Sequence, residues 1–166
     1  MRYAQTTAVA AERSRGEIER VVTKYGASKF VYSWIEDRAM IGFFLHERMI
    51  RFIVPMPDKE AFSKTAGGRR VRKQAAALKA WEQATRQRWR ALLLAVKAKL
   101  EAVESGIATF EDEFMAYIVL PDNHTVGEFM KPQLLDAYAH KRMPLMLPCL
   151  EDRTGRRKIL PPTQEL

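Results

Sequence analysis

The longest regular alternation of apolar and polar positions in the chain runs from about Arg72 to Ile107 and repeats with helical period. It holds no proline, and no glycine before Gly106. At ~1.5 Å rise per residue, a helix over 72–107 is a rod about 50 Å long. With ~100° per residue and Lys79 set at zero, Leu78, Trp81, Trp89, Leu92, Val96, Leu100, Val103 and Ile107 fall within about 50° of a direction near 250°. These form the predicted buried stripe. On the same wheel Lys79, Arg86, Arg90 and Lys97 lie within ~20° of zero, which predicts a row of cations on another face. Leu93 and Leu94 lie off the main stripe, and self-association through an overhanging part of the helix is the matching expectation.

Upstream, Ser14 and Glu17 have capping-box spacing just before Ile18, Val21, Val22 and Tyr25, and Gly26 is a natural stop, so a helix is expected over 14–26. From Ser28 to Val54 the residues become β-branched and aromatic. Lys29 to Ile35, Ala39 to Leu45 and Met49 to Val54 read as strands, separated by Glu36-Asp37-Arg38 and His46-Glu47-Arg48. Connections this short require an antiparallel meander. The most apolar strand, the second, belongs in the middle, and Gly42 within it marks a bulge or a close approach. Phe30, Tyr32 and Trp34 alternate along the first strand, where packing on the sheet is favoured over stacking with bases.

The segment 58–68 is polar, bears Gly67 and Gly68, and is expected to be a mobile connector. After Gly106 a smaller helical part over 109–141 follows. Thr109 and Asp112 cap a helix bearing Phe110, Phe114, Tyr117 and Ile118. Thr125 and Glu128 cap another through Phe129, Met130, Leu134, Leu135 and Tyr138, where Pro132 should kink or restart the chain. Residues 144–166 read as a Pro-rich, charged tail. The expected architecture is therefore α+β, one domain over 1–143 with the meander packed on the long helix. Helix, three strands and helix is also the order of double-stranded RNA-binding domains, and Gly68-Arg69-Arg70-Val71-Arg72-Lys73 resembles their basic loop.

Charge changes the picture more than overall composition does. Net charge is +8. Between Lys59 and Lys99 twelve Lys/Arg face only Glu60 and Glu82, while the rest of the chain is slightly acidic. A basic segment on an otherwise near-neutral protein is the footprint of a polyanion partner. Arg69, Arg70, Arg72, Lys73, Lys79, Arg86, Arg90 and Lys97 are the candidate phosphate contacts. The plainer alternative is a solvated helix face.

Catalytic patterns are missing. His46, His124 and His140 have no ligand spacing, Cys149 stands alone, and Gly67-Gly68 lacks the Lys-Ser/Thr of a phosphate loop. Neither a metal nor a cofactor is expected, and a non-enzymatic protein is. No apolar run is long enough to span a bilayer, and the N-terminal residues lack a signal peptide's apolar core, so no membrane association is expected.

Arg2-Tyr3-Ala4-Gln5-Thr6-Thr7, Ser14-Arg15-Gly16-Glu17-Ile18-Glu19, the run Trp81-Glu82-Gln83-Ala84-Thr85-Arg86-Gln87-Arg88-Trp89 and Ile118-Val119-Leu120-Pro121-Asp122 resemble a group of small proteins of tailed bacteriophages and prophages. That group has no assigned activity, so no functional residues carry over. The resemblance implies a phage or prophage gene product in the cytoplasm of a bacterial host. Two functions fit: nucleic-acid binding through backbone contacts to DNA or RNA, or an adaptor or inhibitor that engages a host or phage protein.

Overall fold

A computed structural model of the chain describes residues 7–35, 37–65, 70–141, 150–151 and 157–158. It divides into two compact units, Met1–Gly127 and Glu128–Leu166. In the first, helix α1 (Ala11–Lys24) leads into a three-stranded sheet of β1 (Ser28–Ile35), β2 (Arg38–Leu45) and β3 (Arg48–Pro55). Helix α2 (Gln74–Glu104) and the short α3 (Phe110–Phe114) follow, and α4 (Val126–His140) starts at the end of this unit. The α+β fold is the one the sequence patterns predict.

The sheet is the expected antiparallel meander with β2 central. Leu45 pairs with Arg48, so a two-residue loop of His46 and Glu47 joins β2 to β3, both with positive φ (48° and 59°). That backbone follows the right-handed twist of the strands, which explains so tight a connection without glycine. Ala39, Ile41, Phe43 and Leu45 of β2 and Ile50, Phe52 and Val54 of β3 point to one buried side. There they meet Ile18 and Val22 of α1, Trp89, Leu93, Val96 and Leu100 of α2, and Phe110 and Phe114 of α3.

Gly42 marks neither a bulge nor a forced approach. A Cβ there would sit 3.7 Å from the Ile50 carbonyl oxygen, an ordinary contact. The sheet's irregularity lies instead in β1, between Ser28 and Val31, beside Lys29 with φ of 55°.

Helix α1 begins three residues before the expected start. Its N-cap is Ala10, with no side-chain cap. Ser14 is buried within the helix and its amide bonds the Ala10 carbonyl at 3.1 Å. The capping box does not form: the Ser14 hydroxyl is buried without a partner among the described residues, and Glu17 pairs with Arg90 and Lys97 of α2. Gly26 does stop the helix, with φ of 90° and Ala27 N–H reaching back to the Val22 carbonyl at 3.0 Å.

The buried stripe of α2 is Thr85, Trp89, Leu93, Val96 and Leu100. On the same wheel its centre lies near ~280°, about 30° closer to the cations than expected. Leu93, placed off the stripe by the sequence pattern, is fully buried, and Ile107, placed on it, is 82% exposed beyond the helix end. Self-association through Leu93 is excluded by that burial. Leu78, also placed on the stripe, is exposed and lines a hollow shared with Asp58, Lys59 and Glu60.

Ile118 and Val119 do not continue a helix. Val119 N–H donates to the Met49 carbonyl at 2.8 Å and Ile118 bridges Ile50, so this stretch lines the outer edge of β3. Arg51 holds the following turn, donating to Asn123 Oδ1 at 3.1 Å and to its carbonyl at 2.7 Å. The Thr109–Asp112 capping box of α3 forms as expected. Helix α4 passes through Pro132 as a single element and buries none of its residues, so Phe129, Leu134, Leu135 and Tyr138 are exposed rather than packed. In the second unit β4 (Leu150–Glu151) pairs with β5 (Arg157–Lys158), and the rest of the expected tail lies outside the described residues.

Candidate nucleic-acid interface

The cations of the basic segment fall into two groups. From Arg86 onward along α2, all but Arg88 are engaged by carboxylates. Arg90 Nη1 lies 3.3 Å from Glu17 Oε2, and Lys97 Nζ bonds Glu17 Oε1. Lys99 Nζ reaches Glu113 Oε2 at 2.9 Å and the Glu113 carbonyl at 2.8 Å. Arg86 donates to Gln83 Oε1 at 2.8 Å and sits 3.9 Å from Glu82. Rotation of the buried stripe toward the cations is the cause, since it sets Arg90 and Lys97 on the border that faces α1. The Lys97 hydrogen bond, with the charges of Lys97, Arg90 and Arg20, holds the Glu17 carboxyl below its ordinary range against partial desolvation.

The segment before α2 and its first turns are different. Among the described residues Lys59, Lys64, Arg70, Arg72, Lys73 and Lys79 form no ion pair, whereas α2 from Arg86 onward is laced with them. Arg69 lies outside the described residues. The segment before the helix is more ordered than its composition predicts. A 3-10 turn covers Glu60–Ser63, then Thr65 N–H bonds the Arg70 carbonyl at 2.9 Å, Arg72 N–H bonds that of Ser63 at 2.8 Å, and Lys64 bridges Val71. This narrow hairpin sets Arg70 and Arg72 beside the start of α2. The N-cap is Lys73, without a side-chain cap, and the first turn of α2 holds no acid. No acid within the helix's own first turn offsets the positive end of its dipole.

A hollow of about 600 Å³ lies at this junction, lined by Asp58, Lys59, Glu60, Ser63, Arg72, Gln74, Ala77 and Leu78. Of its carboxylates, Asp58 caps the Glu60 amide at 2.9 Å. Beside the hollow, Trp81 donates its indole N–H to the Pro57 carbonyl at 2.7 Å, and Lys59 Nζ stands 5.7 Å from the Trp81 ring. Trp34 of β1 lies 6.5 Å from Trp81, centroid to centroid, with the rings tilted by 42°. The register Trp34 to Ala39 and Tyr32 to Ile41 shows that these β1 aromatics share the helix-facing side of the sheet. Sequence patterning marked Phe30, Tyr32 and Trp34 but not the meeting of Trp34 with Trp81, because one lies on a strand and the other on a helix 47 positions later.

The histidines stay apart. His46 packs on Phe110 at 4.8 Å, His124 pairs with Asp122 and His140 with Asp136. Among the described residues no group of three His, Cys, Asp or Glu could hold a metal ion, and no helix is long and apolar enough to cross a membrane. No family model matches the chain, no curated protein is similar to it, and no solved structure matches its fold.

Proposed function

We propose that the protein binds nucleic acid without catalysing a reaction, gripping phosphates with the first turns of α2 and the hairpin before it. One observation carries this reading. The cations of residues 59–79 are exposed or half-buried and lack carboxylate partners among the described residues, beside an uncapped helix start, whereas those of residues 86–99, Arg88 apart, are spent on internal contacts. Unpaired cations around a positive helix end favour phosphates of any sequence, so contacts fall on the backbone. Of the candidate set, Arg70, Arg72, Lys73 and Lys79, with Arg69, are the proposed ligands, while Arg86, Arg90 and Lys97 hold the fold. The resemblance to phage and prophage proteins supports placing this activity in the cytoplasm of a bacterial host.

The test is fluorescence anisotropy with labelled DNA and RNA across a salt series, comparing wild type with an Arg70→Gln, Lys73→Gln, Lys79→Gln triple variant. Wild-type affinity should fall steeply with salt, and the variant's log–log slope should be shallower by roughly 2–3. Binding that ignores salt, or none at low salt, refutes the proposal.

A second reading, the protein-binding adaptor or inhibitor, rests on the other face of the sheet, where Val31, Ile35 and Ile53 are exposed. Capture of a stoichiometric partner from nuclease-treated lysate, lost in an Ile35→Asp, Ile53→Asp variant, would favour it.

A further inference from the structure

We infer that the hollow where α1 and α2 end binds a free amino acid with a large apolar side chain, its ammonium held by Glu104 and its carboxylate by Lys24. The site lies at the opposite end of α2 from the proposed phosphate contacts and is independent of them. It holds about 450 Å³, within the range of small-molecule sites. Its floor is apolar. Leu45 of β2, Leu100 of α2 and Phe110 of α3 line it although all belong to the buried core, so the hollow reaches down to the layer between sheet and helices. His46, from the loop between β2 and β3, adds a wall, its ring 4.8 Å from that of Phe110.

The rim carries both signs of charge. Lys24 is the last residue of α1 and Glu104 the last of α2. Both line the hollow, yet they do not pair with each other, and neither forms an ion pair elsewhere among the described residues. The Lys24 ammonium stands 5.9 Å from the Tyr25 ring, while the Tyr25 hydroxyl hydrogen-bonds Glu104 and, at 3.3 Å, Glu101. A carboxylate offers about four lone-pair sites, so the one phenol leaves Glu104 able to accept from an ammonium as well. The negative ends of the two helix dipoles meet at this corner and favour that ammonium, and carboxylate binding depends on Lys24. A simple amine would face the like charge of Lys24, and a simple acid those of Glu104 and Glu101. An amino acid satisfies both signs at once and lays its side chain on the apolar floor.

The experiment is calorimetric titration of the full chain with L-leucine and L-phenylalanine, and with glycine, phenethylamine and phenylpropionate as controls. At least one of the two apolar amino acids should bind with Kd on the order of 1 mM or tighter. Glycine lacks the side chain, and each of the other two controls lacks one charge, so all three should bind at least about tenfold more weakly. Lys24→Gln and Glu104→Gln should each weaken amino-acid binding by about tenfold or more, with circular-dichroism melts confirming that the variants fold. If a variant is unfolded, the ligand series on wild type carries the test. No binding of either apolar amino acid at about 10 mM overturns the inference. So does any control that binds as tightly as L-phenylalanine, or an unchanged affinity in either folded variant.

Discussion

Glu17 of α1 accepts a hydrogen bond from Lys97 Nζ of α2, eighty positions away in the chain. Arg90, two helical turns before Lys97, approaches the same carboxylate from its other oxygen at 3.3 Å. The pair ties α1 along the border of the long helix and withdraws two cations from the surface. Glu17 carries the largest share of that link, and its removal leaves two half-buried cations without their partner.

Glu17→Gln should therefore lower stability by about 1–2 kcal/mol, a magnitude between exposed and buried charged hydrogen bonds. The effect depends on pH. The folded pKa lies below the ordinary 4.5, so the fold favours the ionised form. Its contribution is complete above about pH 4.5 and fades as pH falls through the lower folded value. Urea titrations at neutral pH and at successively lower pH should show the gap between wild type and variant closing on the acid side.

Within α2 the buried hydroxyl of Thr85 has no hydrogen-bond partner among the described residues, as is true of the Ser14 hydroxyl and the Trp89 indole N–H. A methyl group in place of an unsatisfied buried hydroxyl removes a desolvation penalty and keeps the shape. Thr85→Val should leave thermal stability unchanged or raise it by up to about 1 kcal/mol, measured from the melting temperature. A loss above that amount would indicate a bound water bridging these groups.

Two glycines should respond with opposite signs. A Cβ at Gly42 finds ordinary contacts, and Gly42→Ala should stabilise by about 0.5–1 kcal/mol through the reduced entropy of the unfolded chain. A Cβ at Gly127 would lie 2.7 Å from the Ala116 carbonyl oxygen, a backbone atom that cannot give way. Gly127→Ala should destabilise by about 1–3 kcal/mol. Denaturant midpoints of the two variants read both effects directly.

Tyr25 carries a phenol pushed up to about 12, chiefly by its hydrogen bond to Glu104, then by desolvation and by the charges of Glu104 and Glu101. Neutral phenol donates to these carboxylates, and phenolate would face them. Its stabilising contribution is complete below pH 10 and is lost as pH rises toward 12. Ultraviolet titration of wild type against Tyr25→Phe should show a missing ionisation near pH 12 in the variant.

Much of the fold was legible because its determinants are local. Alternation over 28–54 sets strand faces, Gly26 and Gly106 accept the positive φ that ends two helices, and Thr109 with Asp112 satisfies an amide within one turn. Where local rules failed, a distant partner outcompeted a near one. Ser14 and Glu17 have the spacing of a capping box, yet Glu17 gains more from two cations of α2 than from a backbone amide next to its own helix start. Ile118 and Val119 have helical neighbours in sequence but find the unpaired edge of β3. Pro132 does not interrupt α4, against the usual expectation for an interior proline.

By itself the sequence determined the fold class, the order of elements, the antiparallel pairing and the concentration of positive charge between Lys59 and Lys99, because each depends on periodicity, turn chemistry or composition within a short window. Only the tertiary structure decided which cations are used internally. A wheel locates a charge to within tens of degrees, and about 30° of rotation moved Arg90 and Lys97 from an open face to the border with α1, where Glu17 waits. Tertiary contact likewise brought Trp34 to Trp81 and set Trp81 beside Lys59. Ion pairing and aromatic contact act over a few ångströms, and which side chains come that close is fixed by how the helices sit on the sheet.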